Sequence, residues 1–514
     1  MNTFMDALNR ATNFTTTENG ALSHKTTNSA VYDMFATGGA YRNRSDEDCI
    51  LLFKNAFEED EALALKCLFY LRDCRGGQGE RRFFRVCFKW LAQNHREAAL
   101  RNLQNLSEYG RWDDLLYATN GTPLMRNALA VIKKQLVLDV QCKTPSLLAK
   151  WLPSENASCE ETKRLGNTVR RYLHMSHKEY RKTLSELRKR INVLERLMSA
   201  NRWDEIEFDK IPSRAGLIYK NAFARRDVIA RKYEAFAKSK STKVNADTLY
   251  PYEIVFKAAQ SRYGWGYSFS NLSETDRAML EKYWDNLPDY FDGKRGSMMC
   301  VVDTSGSMTG SEAAAPINVA ISLGMYCAER LNGPFKDHYI SFSSRPQLIK
   351  IEGVDFVDKV RRIYETNLCD NTNLEAVFDL LRRIALKPGV SKNDIPKTIV
   401  VISDMQIDQG TGSWSYRSSD TTRWTSDTTR WTEETAATEM EQIRHQWAVD
   451  GLELPRLVYW NVDARGDANI LDAGPNVSFV SGFSPVIFKS VLTGKNGYDL
   501  MLEVLTAKRY NPVH

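Results

Sequence analysis

The chain has 514 residues, of which 26% are charged and 43% hydrophobic, and its formal net charge is +6. This composition is typical of a globular protein with a full core, and the length predicts about two to four domains. No apolar run approaches the roughly 20 residues that a bilayer span requires, and the N-terminus lacks a basic stretch followed by an apolar one. We therefore expect a protein that is neither membrane-bound nor exported.

The nine cysteines are scattered along the chain, and none forms a C-x-x-C pair. An odd and dispersed set in a large chain is typical of reduced thiols in the cytosol. The cysteines therefore predict a cytoplasmic protein.

Helical periodicity dominates from about Phe53 to Asp292. Short polar or glycine-containing breaks separate the apolar repeats, which is typical of a layer of helices joined by short loops. The first predicted helices are Glu61–Leu71, Phe83–Asn94, Ala98–Tyr109, Trp112–Ala118, Leu124–Leu138 and Ser146–Leu152.

A glycine-rich turn, RGGQGERR at residues 75–82, precedes the second of these helices. Three glycines allow close backbone approach, a helix start offers free N–H groups, and Arg75, Arg81 and Arg82 flank the turn. These features favour a phosphate nest, and the alternative is a helix connector that needs a positive φ. Further on, Asp113 and Asp114 open a helix, where two acids suit the helix dipole.

Positive charge is concentrated between Glu161 and Lys240, where there are 21 lysines or arginines and 10 acidic residues. The rest of the chain is therefore net acidic. Such segregation favours a surface for a polyanion, because a merely solubilising surface intersperses both signs. The alternative is a set of solvated helix faces.

A helix predicted over Arg181–Met198 carries this charge in a regular pattern. One stripe is apolar (Leu184, Leu187, Ile191, Leu194 and Met198), and an adjacent arc is basic (Arg181, Lys182, Arg188, Lys189 and Arg196). A second helix at Tyr219–Asp227 interleaves aromatic residues with Arg225 and Arg226. Basic side chains for phosphates and aromatic rings for unstacked bases suit single-stranded RNA or RNA ends, although aromatics at helical spacing more often belong to a core.

Beyond Arg295 the pattern changes to strands that alternate with helices. This alternation predicts a mostly parallel α/β sheet with helices on both faces. The predicted strands are Met298–Asp303, His338–Ser343, Gln347–Glu352, Thr398–Ser403, Arg456–Val462 and Val477–Ser481, and the predicted helices are Glu312–Leu331, Val354–Glu365, Leu374–Leu386 and Glu433–Val449.

Three segments of this sheet predict a metal site at its carboxyl edge. A D-x-S-x-S turn after the first strand presents Asp303, Ser305 and Ser307, Thr372 opens a helix, and Asp404 ends another strand. Ligands gather at the carboxyl ends of parallel strands, and hard oxygen donors are the ligands that Mg²⁺ prefers. For D-x-S-x-S alone, the alternative is a turn capped by serines.

This three-part pattern resembles the metal-ion-dependent adhesion site of von Willebrand factor A domains. The resemblance implies that Asp303, Ser305, Ser307, Thr372 and Asp404 bind Mg²⁺ or another divalent cation such as Mn²⁺. An open coordination position would attract an acidic group from a partner. The sequence has no G-x-S-x-G, H-E-x-x-H or P-loop motif, so we expect a docking point and not an enzyme.

An insert at Gly410–Thr432 follows Asp404 closely. Its segment SDTTRWT occurs twice in tandem, at residues 419–425 and 426–432. The repeated arginine and tryptophan pair predicts a partner-contact loop beside the metal site, formed by Arg423, Trp424, Arg430 and Trp431. The alternative is a recent duplication with no selected role.

The whole chain resembles the Ro autoantigen ribonucleoproteins, in which a TROVE module precedes a von Willebrand A domain. A closer resemblance, to a Ro-like family of plants, large DNA viruses and phages, is carried by TENGAL at 17–22, YDMF at 32–35, DCRGGQGER at 73–81, YGRWDDL at 109–115 and AKWLPS at 149–154. The resemblance implies a HEAT-like helical ring or horseshoe over residues 1–292, a Rossmann-like von Willebrand A domain over 295–485, and a C-terminal helix and tail over 486–514. It also implies RNA binding in or around the ring, and the host cytoplasm for a viral or phage member.

Together these features predict a non-enzymatic RNA-binding scaffold whose A domain offers a Mg²⁺ site to an acidic ligand. The RNA would be small and structured, or single-stranded. The alternative is a protein-interaction adaptor without RNA, in which the metal site binds an acidic residue of a partner and the basic helices bind acidic protein.

Overall fold

The computed structural model describes residues 12–191, 193–247, 249–259, 272–291, 297–366, 372–408, 439–465, 470–471, 474 and 476–514. The chain divides into two compact units. The sheet unit takes in the described parts of residues 12–44, 250–271 and 289–504. The helical unit takes in the described parts of residues 45–249, 272–288 and 505–514.

These units differ from the predicted domains, whose boundaries lay at 292 and 485. Residues 12–44 belong to the sheet unit, where Phe479 N donates to Tyr32 Oη at 2.8 Å. The last ten residues belong to the helical unit, where His514 N donates to Asn102 Oδ1 at 3.0 Å. The contacts that bring the two ends of the described chain into these units join residues more than 400 positions apart, which local periodicity does not reveal.

The helical unit is built from short helices that begin and end at local caps and breaks. Neighbouring helices pack together, as α2 does with α3 and α4, and α14 with α13 and α16. This confirms the predicted helical layer, while the ring or horseshoe remains a prediction. In chain order the helices are α1 (Ala30–Thr37) of the sheet unit, then α2 (Asp46–Glu59), α3 (Glu61–Arg72), α4 (Arg82–Asn94), α5 (Arg96–Asn102), α6 (Leu106–Tyr109), α7 (Asp114–Tyr117), α8 (Met125–Gln141), α9 (Leu148–Trp151), α10 (Glu160–Tyr172), α11 (His177–Arg190), α12 (Leu194–Ser199), α13 (Ser213–Ala224), α14 (Asp227–Lys238), α15 (Pro251–Ala259) of the sheet unit, and α16 (Glu274–Asp285).

The sheet unit contains a small hairpin and a larger sheet. The strands are β1 (Phe14–Thr16), β2 (Leu22–His24), β3 (Met298–Asp303), β4 (His338–Phe342), β5 (Leu348–Lys350), β6 (Thr398–Ser403), β7 (Arg456–Asn461) and β8 (Val477–Ser481), and the remaining helices are α17 (Pro316–Arg330), α18 (Phe356–Thr366), α19 (Leu374–Ala385), α20 (Glu439–Val449), α21 (Phe488–Val491) and α22 (Gly497–Leu505). β1 and β2 pair antiparallel. The other six strands form one sheet in the order β5-β4-β3-β6-β7-β8, parallel except for the edge strand β5. The predicted parallel α/β domain is therefore confirmed.

The order of the strands reverses between β3 and β6. β4 and β5 extend the sheet on one side of β3, and β6 to β8 extend it on the other. In open parallel sheets this switch point is where ligands bind, beyond the carboxyl ends of the strands. α17 covers β3, β4 and β6, and Pro316 at its first position explains why it begins after the predicted Glu312.

Among the described residues, no helix combines the length and the apolar character needed to cross a membrane.

A buried ion cluster links two arginine-rich motifs of the helical unit. The Asp114 carboxylate is fully buried and accepts from Arg72 Nη2 at 2.7 Å, Arg85 Nε at 2.7 Å and Arg111 N at 2.8 Å. Burial alone would raise the pKa of Asp114, but Arg72 and Arg85 outweigh burial and hold the pKa below its ordinary value. The neighbouring Asp113 pairs with Arg85 and Arg111. These acids therefore belong to an ion network, beyond any match to the helix dipole.

Replacing Asp114 by alanine should destabilise the chain by about 3–5 kcal/mol, because it removes the buried carboxylate to which both Arg72 and Arg85 donate. The control Glu61→Ala removes a pair with Arg101 that is 47% and 48% exposed, and should cost less than about 1 kcal/mol. Urea denaturation measures both. Because the pKa of Asp114 is lowered, its contribution should be present at neutral pH and lost as the pH falls below about 4. Equal losses in the two variants would contradict a special role for the cluster.

Candidate metal centre

Three loops at the switch point carry the predicted metal ligands. Asp303 is the last residue of β3, and Asp404 directly follows β6, its parallel neighbour in the sheet. Ser305 and Ser307 lie on the turn after β3, and Thr372 lies just before α19. The structure therefore gathers all five at the edge where the sequence predicted them.

Hydrogen bonds hold the first loop. Ser305 N donates to Asp303 Oδ1 at 2.9 Å, and Ser403 Oγ donates to Asp303 Oδ2 at 2.5 Å. The hydroxyl oxygens of Ser305 and Ser307 lie 3.1 Å apart. The carboxylate of Asp303 is thus fixed in direction, and the two serine hydroxyls share one side of the turn.

The third loop is tied to the second. Gln406 N donates to Asp404 Oδ1 at 3.1 Å, Thr372 Oγ1 donates to the Gln406 carbonyl at 2.9 Å, and Asp408 N donates to the Thr372 carbonyl at 3.1 Å. Thr372 therefore uses its hydroxyl proton within the chain and keeps oxygen lone pairs for a cation. Within this loop Met405 has a φ of +62°, a left-handed conformation that costs about 1 kcal/mol for a residue other than glycine.

The predicted cation would bind at the second oxygen of Asp404. Asp404 Oδ2 is buried and meets no donor in hydrogen-bonding geometry among the described residues, although the Ser307 hydroxyl favours the charged carboxylate and Nε of Arg465 lies 3.7 Å from Oδ2. A buried carboxylate oxygen without a donor is costly, and a metal ion would relieve that cost. In the part of the chain that the structure describes, no group of three histidine, cysteine or acidic side chains has metal-binding geometry. The donor set is therefore two carboxylates and three hydroxyls, all hard oxygens that suit Mg²⁺.

Both carboxylates lie where their charged forms are disfavoured. Burial, followed in size by the charge of Asp404, raises the pKa of Asp303 to about 7. Hydrogen bonds from Ser403 and Ser305 oppose this increase. Burial likewise raises the pKa of Asp404, although its hydrogen bonds and Arg465 oppose this. Without a cation, the pair therefore retains a proton up to about neutral pH.

A fourth loop, which the sequence analysis missed, completes this edge. It follows β7 and carries Asp463 and Arg465, which pair with each other. Arg465 also donates to the Ser307 carbonyl, and the charge of Asp463 adds to the negative potential at Asp404. The available signal was an aspartate just after a predicted parallel strand, as with Asp404.

The predicted basic helix at 181–198 is in fact two helices, so the single basic arc is wrong. α11 begins at His177 behind a capping box and ends at Arg190, and α12 begins at Leu194. Arg190 marks the break, because its guanidinium donates to three carbonyls at the C-terminal end of α8. Arg196 therefore lies on a separate helix from the other predicted cations.

The predicted RNA-binding side chains divide into engaged and exposed groups. Arg188 donates to two carbonyls in and just after α9, and burial lowers its pKa. Arg82 pairs with Asp46, and the Arg226 guanidinium lies 3.8 Å from the ring centre of Trp203. These three side chains therefore already contact other groups of the protein. Arg75 is exposed, but its guanidinium donates to the Glu108 carbonyl. The other exposed cations are Arg81, Arg181, Lys182, Lys189 and Arg225, and Arg226 is exposed beside Trp203.

The glycine-rich turn is a helix connector, and the predicted phosphate nest is wrong. The amides of residues 75, 77, 78, 79 and 80 donate within the chain, to Asp73 and to carbonyls of α3. Gly79 has a φ of +69°, and a Cβ on Gly77 would lie 2.0 Å from the Tyr70 carbonyl oxygen. The turn needs glycine for its backbone shape, and these amides are not available to a phosphate.

The predicted partner-contact loop, with Arg423, Trp424, Arg430 and Trp431, lies outside the described residues. Its role stays a prediction.

Two family descriptions match the chain. "Domain of unknown function (DUF7788)" matches residues 297–509, and "Domain of unknown function (DUF2828)" matches residues 17–122 and 137–292. The second match covers just over half of the chain. The chain belongs to the DUF2828 family. The DUF2828 match includes the start of the chain, which the structure places in the sheet unit.

Two individual proteins are similar to this DUF2828 chain. An uncharacterized protein of Acanthamoeba polyphaga mimivirus is 27% identical over 547 residues, covering 98% of this chain and 89% of the relative. The crystal structure of the Deinococcus radiodurans Ro (RSR) protein is 13% identical, covers 93% of this chain and 99% of that chain, and has a TM-score of 0.43.

Mg²⁺ binding should weaken as the pH falls below about 7, because a proton must leave Asp303 before both carboxylates can hold a cation. Each pH unit below about 7 should lower the affinity up to about tenfold, with a plateau above. The stability of the metal-free chain should depend on pH in the opposite direction. Because the pKa of Asp303 is raised by folding, its protonated form favours the folded state, and the stability should fall as the pH rises towards about 7. Calorimetric Mg²⁺ titrations across this range test the first effect, and an affinity independent of pH would contradict it.

Proposed function

We propose that this protein is a cytosolic, non-enzymatic RNA-binding scaffold, Ro-like in architecture, whose sheet unit carries a divalent-cation site of the von Willebrand A adhesion type. Mg²⁺, or a similar cation such as Mn²⁺, would be held by Asp303, Ser305, Ser307, Thr372 and Asp404. The remaining coordination position would accept an acidic group. The helical unit would supply the basic surface for RNA.

The observation that carries the cation site is the buried, donor-less oxygen of Asp404 at the switch point of the sheet. It lies on the same edge as the carboxylate of Asp303 and the hydroxyls of three other predicted ligands. Mg²⁺ prefers octahedral coordination by oxygen, so five side chains leave a position for an incoming carboxylate. The arrangement therefore supports docking through a shared cation.

We expect a binding site and not an enzyme because of the groups identified at the site. They are carboxylates, hydroxyls and the guanidinium of Arg465, and their hydrogen bonds fix ligand directions. Ser403 and Thr372 donate their hydroxyl protons to a carboxylate and a carbonyl respectively. A hydrolase would need a nucleophile with a base placed to activate it, and the groups identified here are arranged as ligands.

Exposed cations on α11 support the RNA part of the proposal. Arg181, Lys182 and Lys189 are exposed and form no ion pair within the described ranges of the chain. Leu184 and Leu187 are buried on another side of the same helix. Charge reversal at the three cations should therefore leave the packing of α11 intact.

The adaptor remains the alternative function. In that case the same exposed cations bind acidic protein, and the cation site binds an acidic residue of a partner. The two functions differ in how binding responds to salt and to chelation.

Asp404→Asn should lower the affinity for Mg²⁺ by at least about tenfold, because the amide keeps the size of the side chain but removes its charge. The matched control is Asp450→Asn, which changes an aspartate that precedes β7 at the opposite edge and pairs with Arg382. The control should bind Mg²⁺ like the wild type in calorimetric titrations. Unchanged Mg²⁺ affinity in Asp404→Asn would contradict the proposed cation site.

The triple variant Arg181→Glu, Lys182→Glu, Lys189→Glu should weaken binding to single-stranded RNA, and it should reduce the slope of log affinity against log salt by about 0.7 for each phosphate that the protein no longer neutralises. The control triple variant reverses three exposed lysines on α4 and α8: Lys89→Glu, Lys133→Glu, Lys134→Glu. Filter binding over a range of salt concentrations measures both.

Two outcomes of this experiment would favour the adaptor. One is equal affinity and slope in the two triple variants, which would make α11 a solvated surface. The other is loss of binding on adding EDTA, because RNA held by basic side chains alone should survive chelation.

A further inference from the structure

The hairpin of β1 and β2 ends in a turn that lies on the third loop of the cation site. We name residues 17–21 the hairpin tip. Thr17 Oγ1 donates to the Ile407 carbonyl at 2.6 Å, Glu18 N donates to Gln406 Oε1 at 2.8 Å, and Asn19 Nδ2 donates to the Gln406 carbonyl at 2.8 Å. These contacts join segments about 390 residues apart in the chain.

Gln406 connects the hairpin tip to two predicted ligands. Its side chain is buried, and its backbone N–H donates to Asp404 Oδ1. Its carbonyl accepts from Thr372 Oγ1 and also from Asn19 Nδ2. A change at Asn19 therefore acts on the same atom that orients the Thr372 hydroxyl.

The loop that carries Asp404 needs such support because of its backbone. Met405 is buried with a φ of +62°, a conformation that persists in a non-glycine residue only when its surroundings hold it. Gly20 of the hairpin tip pairs antiparallel with Asp408, so hydrogen bonds from the hairpin reach the loop along residues 406–408.

The same N-terminal segment also reaches the first and fourth loops. Arg42 Nη1 donates to the carbonyl of residue 314 at 3.0 Å, in the segment that leads from the first loop to α17. Asn43 Nδ2 donates to Asp463 Oδ1 at 3.1 Å, and Arg44 Nη1 donates to the Arg465 carbonyl at 2.5 Å. The start of the chain therefore borders three of the loops at the carboxyl edge.

We propose that the hairpin tip is a positioning element of the cation site, in which Thr17 and Asn19 hold the loops of Asp404 and Thr372 in their metal-binding form. This inference rests on the proposed cation site. It assigns a role to the TENGAL motif at residues 17–22, which otherwise carries only a family resemblance. The competing explanation is that the hairpin only stabilises the fold.

Asn19→Ala should weaken Mg²⁺ binding by about fivefold, the change expected from removing one hydrogen bond of typical strength. The control is Asn13→Ala, which removes two hydrogen bonds in the same segment away from the metal loops: Asn13 Nδ2 donates to the Thr26 carbonyl, and Thr26 N donates to Asn13 Oδ1. The control should change the affinity by less than about twofold. Thr17→Val should weaken binding, and Thr17→Ser, which keeps the hydroxyl, should restore it. Calorimetric titration of the full chain with Mg²⁺ measures all four variants, with a thermal melt of each.

A second measurement on the wild-type chain does not depend on how the variants fold. Coupling between two sites is reciprocal, so a cation that needs the hairpin tip must also stabilise it. Adding Mg²⁺ should slow hydrogen exchange at the amides of Glu18 and Ala21, which donate to Gln406 Oε1 and Thr17 Oγ1. A hairpin that only stabilises the fold should show the same exchange with and without Mg²⁺.

The outcomes separate this inference from the cation site itself. Absence of Mg²⁺ binding in the wild-type chain would overturn both. Wild-type binding that Asn19→Ala and Asn13→Ala leave equally strong, or hairpin exchange that Mg²⁺ does not change, would overturn the positioning role alone. Weaker binding in Asn19→Ala and Thr17→Val, recovery in Thr17→Ser and slower hairpin exchange with Mg²⁺ would establish it.

Discussion

Two buried aspartates at the ends of neighbouring parallel strands impose the main constraint on the sheet unit. Asp303 and Asp404 come together because β3 and β6 are hydrogen-bonded partners, and neither side chain reaches solvent. Burial opposes the charged form of both, the charge of Asp404 further raises the pKa of Asp303, and the charge of Asp463 further raises the pKa of Asp404. The surrounding loops reduce this cost with hydroxyl and amide donors and with the guanidinium of Arg465.

The helical unit contains a similar buried carboxylate with a different outcome. Asp114 receives donors on both oxygens from arginines, and its pKa is lowered. Asp404 keeps an oxygen without a donor among the described residues, and its pKa is raised. A fully satisfied buried network is what structural roles require, whereas an incompletely satisfied one suits a site that awaits a ligand. This contrast, and not the number of charges, distinguishes the two clusters.

On the basic surface, too, a charged side chain is not always available to bind a ligand. Arg188 is one of the predicted cations of α11 and Arg190 is a further basic residue of that helix, yet both guanidiniums bind backbone carbonyls of other segments. Lysines and arginines without such contacts, as at Lys182 and Lys189, are exposed in the structure. A count of basic residues therefore overestimates the surface that a polyanion could contact.

The sequence by itself determined the strands of the large sheet and the identity of the candidate ligands. All six predicted strands lie in the large sheet, because strongly apolar runs such as Met298–Asp303 can be satisfied only in a buried strand. The D-x-S-x-S turn, Thr372 and Asp404 were recognisable because the carboxyl edge of a parallel sheet collects whatever follows its strands. These features depend on local pattern and on one general rule of topology.

Only the tertiary structure decided which side chains are engaged and which segments share a unit. The break after Arg190 does not show in the heptad pattern, because two short helices can bury the same leucine positions as one long helix. The phosphate nest failed because the amides of the turn already donate to α3 and Asp73. The link from Asn19 to Gln406 spans most of the chain, and such contacts arise from packing between distant segments, for which the local sequence carries no periodic signal.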